Sequence, residues 1–376
     1  MTYQDATKPP FRADHVGSLL RPSRLQNARR KFVDGSITID ELRKVEDKCI
    51  SEVIKKQEEC GLKAVTDGEF RRTLWHYDFL CGLEGVDQLD STQGPKFQSE
   101  ATTAGGGNVN SLGVSSKISN QQGIMIDHFS YLHSNTSVGS KFCIPSPSLA
   151  YHRGGPALID RDVYPSLETF WTDLCNAYRD QIVHLGNAGC TYLQFDDTTF
   201  AMLCDPKVRR QMEDRGDDPT ELIRIYGRAI TQAIVERPDN MTVTVHMCRG
   251  NARSSWLAEG GYELVAEDMF SGVPVDGFFM EWDTSRAGGF EPLRFAPRDK
   301  MIVLGLVSSK FGKLEKKDDL KRQIEEASKY IPIENLCISP QCGFASTAVG
   351  NIISEDDQWR KLTFLVEVAE EIWGNI

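Results

Sequence analysis

Short β-rich runs alternate along this chain with longer stretches whose apolar residues recur at helical spacing, and few folds tolerate that rhythm. Each strand must reach a parallel neighbour through a crossover helix, so the alternation reads as consecutive βα units. Eight strand candidates can be placed, over residues 13–16, 64–66, 141–144, 192–195, 242–245, 277–280, 301–306 and 335–338. The helical stretches between them cover 39–60, 165–188, 218–237, 254–270, 317–330 and 355–373. In the first of these Ile39, Leu42, Val45, Ile50, Val53 and Ile54 fall near one face, and Thr38 or Asp40 is suitably placed to cap its start.

Eight such units predict an α/β fold, a (β/α)8 TIM barrel with long insertions at the strand C-terminal ends. A barrel of this kind needs about 250 residues. The chain has 376. The excess is expected in residues 87–135, rich in Gly, Ser, Gln and Asn and containing Gly105-Gly106-Gly107, where no helical period survives and part of a hairpin is expected. A second Gly/Pro-rich loop spans 153–165. No tandem repeat or convincing linker divides the chain, so one elaborated barrel domain over 1–376 is the simplest organisation.

Composition narrows the function. Forty-three Lys and Arg against 54 Asp and Glu give a net charge of −11, which repels phosphate backbones and anionic membrane surfaces. Partners are therefore expected to be small molecules, with no nucleic acid and no membrane. No apolar run approaches the roughly 20 residues of a membrane span, and the first ten residues lack the apolar core of a secretory signal. The ten cysteines are too sparse for a disulfide scaffold and are expected to be reduced, in a cytoplasmic protein. Oligomeric state is not legible.

Active sites of such barrels lie at the C-terminal ends of the strands. Chemically capable residues follow every strand candidate: Gly17 and Ser18; Asp67, Gly68 and Glu69; Ser146; Asp196 and Asp197; His246 and Cys248; Glu281 and Asp283; Ser308, Ser309 and Lys310; and Cys342. The sharpest subset is His246, Cys248, Glu281 and Cys342. Residues i and i+2 at a strand end project to the same side, and imidazole, thiolate and carboxylate are all zinc ligands. On spacing alone, the other reading is a hydrogen-bonded core histidine with two buried, apolar cysteines.

At these residues the sequence resembles the catalytic barrel of cobalamin-independent methionine synthase and its single-barrel relatives. The matching blocks are His15-Val-Gly-Ser18, Thr66-Asp-Gly-Glu69-Phe70, Gln194-Phe-Asp196-Asp197 and His246-Met-Cys248. They continue through Glu281-Trp-Asp-Thr-Ser285-Arg286, Leu304-Gly-Leu-Val-Ser-Ser-Lys310 and Pro340-Gln-Cys342-Gly343, in the family's order. The resemblance implies a Zn2+ ion held by His246, Cys248, Glu281 and Cys342, with the amino-acid part of homocysteine held by Ser18, Glu69 and Asp196. It implies a zinc-dependent S-methyltransferase that activates a small-molecule thiol as a zinc thiolate. Homocysteine would receive a methyl group, giving methionine, from a methyltetrahydrofolate donor. Two thiolates, one carboxylate and a neutral imidazole would leave the zinc site at −1, a poor Lewis acid that still keeps a bound thiol nucleophilic.

The sequence departs from the family on the donor side. Where the full-length enzymes carry a histidine proposed to protonate the departing folate nitrogen, this chain reads Val307-Ser308-Ser309-Lys310. Lys310 is a candidate catalytic proton donor, with Asp196 beside the substrate, or else a partner of Glu315. The tryptophan expected after the third strand has no counterpart near Ser146, and the additional N-terminal barrel is missing. Trp75, His76 and Tyr77 are candidates for the substrate mouth or for a packed aromatic helix start. The alternatives are a thiol alkyltransferase using another thiol or an epoxide-like electrophile, and a non-catalytic zinc- or thiol-binding protein. A third is a porphyrin-decarboxylase-like enzyme built on Arg12, Arg71, Arg72 and Arg286.

Overall fold

The computed structural model describes residues 8–89 and 111–374. After β1 (Ala64–Val65) the chain makes an antiparallel hairpin from β2 (Glu84–Leu89) and β3 (Ser111–Ser119). Six further strands follow: β4 (Gly139–Pro145), β5 (Tyr192–Asp197), β6 (Thr242–Met247), β7 (Gly277–Glu281), β8 (Met301–Val307) and β9 (Leu336–Pro340). These six and β1 form one parallel sheet in the order β1-β4-β5-β6-β7-β8-β9, the curled sheet of a barrel. All residues of β5, β7, β8 and β9 are buried, as expected when helices cover one face and side chains fill the interior on the other.

The expected first strand is reduced to a single bridge. Ala13 pairs with Ile338 of β9, with the Asp14 N–H donating to Ile338 O at 3.1 Å and the Ile338 N–H to Arg12 O at 2.9 Å. On its other side a ladder is replaced by isolated contacts: Thr66 Oγ1 donates to Gly17 O at 2.6 Å, and the Leu19 N–H to Gly68 O at 3.1 Å. The segment thus fills the eighth position without regular pairing on both sides.

Helix starts follow local chemistry. Thr38 forms a capping box with Glu41 at the start of the Ile39–Glu59 helix. Ser166, Asp218 and Ser354 cap the Leu167–Asn187, Pro219–Ala233 and Glu355–Trp373 helices with their side chains. Two expectations fail. The stretch 254–270 is not one helix: residues 249–261 run as an irregular loop, a 3-10 turn covers Tyr262–Leu264, and only Ala266–Gly272 is α-helical. Ser254 at φ 63° and Gly260 at φ 123° break the helical backbone there. Conversely, residues 87–135 do contain a helix, Ile126–Asn135, whose Phe129 and Leu132 are buried. Two apolar anchors over so few turns leave no readable period. Gly105-Gly106-Gly107 lie outside the described residues. The loop at 153–165 docks by a bridge from Ile159 to Val114 in the hairpin.

The barrel interior below the mouth holds a buried polar plug. Lys141 Nζ donates to Asp14 Oδ1 at 3.0 Å and His15 O at 2.6 Å, while Tyr192 OH donates to Asp14 Oδ2 at 2.7 Å. None of the ten cysteines is in a disulfide. Among the described residues, no helix is long and apolar enough to cross a membrane.

Buried histidines make stability depend on pH. Burial is the main cause that lowers His15 to about 4, His128 to about 4 and His152 to about 3. The unfolded chain binds these protons near 6.5, so each contribution is intact above that pH and is lost as pH falls toward the folded value. For His152 alone, two pH units below 6.5 correspond to about 3 kcal/mol. Urea denaturation at pH 7 and at about 4.5 should show His152→Gln, which can still reach the Tyr226 hydroxyl, losing less stability across that interval than the parent chain.

Candidate metal and amino-acid site

Strand register builds the site in layers. Inward positions two residues apart place Lys141 and Cys143 on β4, with Tyr192, Gln194 and Asp196 on β5. Pro145 lies level with Asp196, and Asp196 lies level with His246 of β6. Cys248 follows β6, Glu281 ends β7 and Cys342 follows β9, so all four sulfur, imidazole and carboxylate residues meet at the same end of the barrel.

His246, Cys248, Glu281 and Cys342 are all buried, and each offers a ligand atom within 4.8 Å of the others. The two sulfurs lie 3.3 Å apart. That contact holds the Cys342 thiol well below its ordinary value and, together with burial, pushes Cys248 well above it. Neither ring nitrogen of His246 meets hydrogen-bond geometry with a carbonyl, hydroxyl or carboxylate among the described residues; the Cys342 sulfur is the neighbour that acts on the ring and, against burial, raises its pKa. A histidine buried with both nitrogens unsatisfied forfeits on the order of 1–3 kcal/mol unless something coordinates it. With metal–sulfur bonds of about 2.3 Å and metal–nitrogen bonds of about 2.0 Å, a tetrahedral ion needs ligand atoms roughly 3–4 Å apart. The donor set fits such an ion.

A second cluster joins Glu69, Cys143 and Asp196, again buried and within 4.8 Å of one another. Burial, opposed by Arg72 and reinforced by Asp196, raises Glu69 to about 7. Burial likewise raises Asp196 to about 6, against the pull of His246 and the hydrogen bond from Gln194 Nε2. Even with Arg72 beside Glu69, two buried carboxylates held this close stay above the usual carboxylate range, an environment that a further cation would relieve. Glu69 is held at φ 60° by a tight turn in which its N–H donates to Asp67 Oδ1 at 2.8 Å. Asp197 is structural: its carboxylate accepts from Ser148 Oγ, the Thr199 N–H and the Phe200 N–H.

Both clusters open into one cavity of about 230 Å³. Ser18, Glu69, Asp196, His246, Cys248 and Cys342 line it, whereas Glu281 and Lys310 do not. Trp75, His76 and Tyr77 also line it, and Tyr77 opens a short helix, so the aromatic run forms a helix start and the mouth together. Lys310 does not pair with Glu315, whose carboxylate binds Lys361 at 3.0 Å; its nearest anion is Asp283 at 4.0 Å.

The arginines named from the sequence do not converge. Arg12 binds the carbonyls of Glu334 and Leu336, Arg71 pairs with Glu46 and Asp47, and Arg286 pairs with Asp283. Only Arg72 reaches the site, 3.8 Å from Glu69. Sequence reasoning missed Arg249, whose N–H donates to Glu281 Oε1 at 3.2 Å and whose guanidinium donates to Tyr262 OH at 2.9 Å. Its position next to Cys248 was the available signal. Cys143, one of the cysteines to which the sequence assigns no role, is a site neighbour by its inward alternation with Lys141 on β4.

A parallel barrel carrying a buried two-cysteine, histidine and glutamate cluster at its mouth, beside a carboxylate pair, defines a narrow class of protein. The chain belongs to the cobalamin-independent methionine synthase family: residues 154–371 match the family model described as Cobalamin-independent synthase, Catalytic domain. The Bacillus subtilis (strain 168) protein YxjG is 46% identical over 369 residues, 97% of this chain and 96% of its own length. A crystal structure of a putative vitamin-B12 independent methionine synthase from Listeria monocytogenes is 37% identical, with a TM-score of 0.77, covering 97% of this chain and 99% of that one. The fold is shared with a B12-independent methionine synthase from Shewanella sp. W3-18-1 in complex with selenomethionine, at 18% identity and a TM-score of 0.69, over 96% of this chain and 97% of that one.

Gly17 sets the approach of Ser18 to the cavity. It sits at φ 137°, and a Cβ there would lie 2.7 Å from Cys143 Sγ. Gly17→Ala should therefore lower stability by about 2 kcal/mol or more. Adding Cys143→Ala should recover the steric part and leave the backbone part, a non-additivity measurable by denaturant titration of the four proteins of the cycle.

Proposed function

We propose that this chain is a zinc-dependent S-methyltransferase that methylates the thiol of homocysteine to give methionine, with a methyltetrahydrofolate as donor. The observation that carries the reading is the convergence of the four-ligand cluster and the Glu69–Asp196 pair on one cavity. Family membership and the selenomethionine held by the Shewanella neighbour support it.

His246, Cys248, Glu281 and Cys342 would hold the ion. Bound zinc supplies the positive charge that keeps a thiol deprotonated at neutral pH while leaving its sulfur nucleophilic. The chain's own residues orient the substrate. Glu69 and Asp196 receive its ammonium, which returns both carboxylates to their charged form, and Arg72 keeps Glu69 aimed across the cavity. Ser18, presented by Gly17, faces the carboxylate end. Trp75, His76 and Tyr77 wall the mouth and exclude water from the sulfur as the methyl group arrives. No carbonyl or carboxylate hydrogen bond occupies the His246 ring among the described residues, and its neighbour is the Cys342 sulfur of the same ligand set, so a nitrogen lone pair is available as a ligand.

The purified protein is expected to bind one zinc ion per chain and to form methionine from homocysteine when given methyltetrahydrofolate. Cys342→Ser and His246→Ala should lose most of the zinc, and activity with it. Glu69→Gln should keep the zinc but raise KM for homocysteine at least tenfold. Full zinc content and full activity in Cys342→Ser or His246→Ala would refute the assignment.

A further inference from the structure

The mouth of the cavity carries two arginines that face no carboxylate. Arg153, half-buried, and Arg253, exposed, both line it. The Arg153 guanidinium donates to Tyr77 OH at 3.3 Å and lies 6.0 Å from the centroid of the Tyr77 ring. Among the described residues neither arginine forms an ion pair. The carboxylates that share the cavity are engaged deeper in it: Glu69 stands 3.8 Å from Arg72, Asp196 accepts from Gln194 and Asp197 from Ser148. In a chain with a net charge of −11, two cations left without anions at one opening are not a product of composition.

The backbone holds Arg253 at the mouth. Arg253 at φ 49° and Ser254 at φ 63° are consecutive non-glycine residues in the left-handed region, a strain that persists only where the surroundings over-determine it. Here the Ser254 N–H donates to Asn351 Oδ1 at 3.0 Å, Ser254 Oγ donates to Lys310 O at 2.8 Å, and the Ile352 N–H donates to Ser254 Oγ at 2.9 Å. The loops after β6, β8 and β9 are thus pinned together beside Arg253. Next to Arg153, His76 is 5% exposed, lines the cavity, and has no hydrogen-bond partner on either ring nitrogen among the described residues. Burial, with Arg153 nearby, holds its pKa well below the ordinary value, so the ring is neutral and keeps one N–H to donate. Two guanidiniums and an unsatisfied buried N–H around one opening call for oxygen acceptors that carry negative charge.

We propose that Arg153, Arg253 and His76 form an anion subsite at the mouth that binds the glutamate tail of the methyl donor, so that donors are selected by charge at the end remote from the methyl group. This rests on the donor named in the proposed function and assigns residues of this chain to it. A single terminal glutamate carries two carboxylates and the subsite two guanidiniums, so one glutamate saturates it and further glutamates add little. Held by its tail, the donor directs its methyl-bearing end inward, toward the metal and amino-acid clusters.

The test is calorimetric binding to the full chain of tetrahydrofolate with one glutamate, tetrahydrofolate with three, and tetrahydropteroate, which has none. Tetrahydropteroate should bind about tenfold or more weakly than the monoglutamate, and the triglutamate within about threefold of it. Arg153→Gln and Arg253→Gln should each weaken monoglutamate binding about tenfold and leave tetrahydropteroate binding within about twofold, whereas a damaged fold would lower both. Arg253→Lys should recover part of the loss, and His76→Phe, which keeps a ring but no N–H, should act as the glutamines do by a smaller factor. Equal affinity for the three compounds, or the same loss for all three in the arginine variants, overturns the subsite. A triglutamate bound tenfold or more tightly than the monoglutamate overturns the charge match. If the parent chain binds none of the three, the donor of the proposed function fails and the subsite with it, an outcome distinct from tail-independent binding.

Discussion

The ion pair between Asp14 and Lys141 is the contact on which the rest of the barrel mouth depends. Both side chains are fully buried, and Tyr192 and the His15 carbonyl complete their hydrogen bonding. Removing either partner would strand a charge in the interior, typically at a cost of 3–5 kcal/mol. Because Asp14 lies in the one barrel segment without regular pairing on both sides, this pair does what a ladder does elsewhere. It ties the segment to β4 and β5 and fixes Gly17 and Ser18 at the opening above. Lys141 also lies over the rings of Phe279 and Tyr192, so the plug reaches across to β7.

Above the plug, charge is segregated. The amino-acid side gathers two carboxylates relieved by Arg72 and Arg21, and the metal side gathers thiolates and carboxylates relieved by Arg249 and Lys310. Each cluster is unfavourable by itself and is completed by a cation of a different kind. On the proposed function the cavity would take two different cations, a metal ion and an ammonium, held by clusters on adjacent strands.

Much of this was legible in the sequence because the strands are short apolar runs and the functional residues follow them directly. The His246-Met-Cys248 block could be oriented from strand geometry alone, and Thr38, Asp218 and Ser354 sit where helix caps should. What was illegible depended on distant partners. Residues 13–16 have a strand's composition, yet a one-sided neighbourhood reduces them to a bridge. Residues 254–270 carry helical spacing, but positive φ angles at Ser254 and Gly260 turn the first part into cavity wall. Arg249 and Cys143 acquire meaning only when the barrel brings Glu281 and Asp196 beside them. Lys310 follows its strand as the other site residues do, and no local pattern shows that it is buried beside Asp283 and not among the residues lining the cavity.

The register of β5 on β6 makes the site a ruler. Asp196 and His246 are direct partners in the ladder, so the backbones of the proposed amino-group anchor and the proposed metal ligand are held at the roughly 4.8 Å spacing of adjacent strands. Loop motion cannot change that backbone spacing without slipping the whole sheet. On the proposed function, an amino-acid thiol held at both ends must bridge a length that the backbone largely sets, and one shorter by a methylene would have to release one end. Selection among thiols would then rest on hydrogen-bond register, the least adjustable part of the molecule.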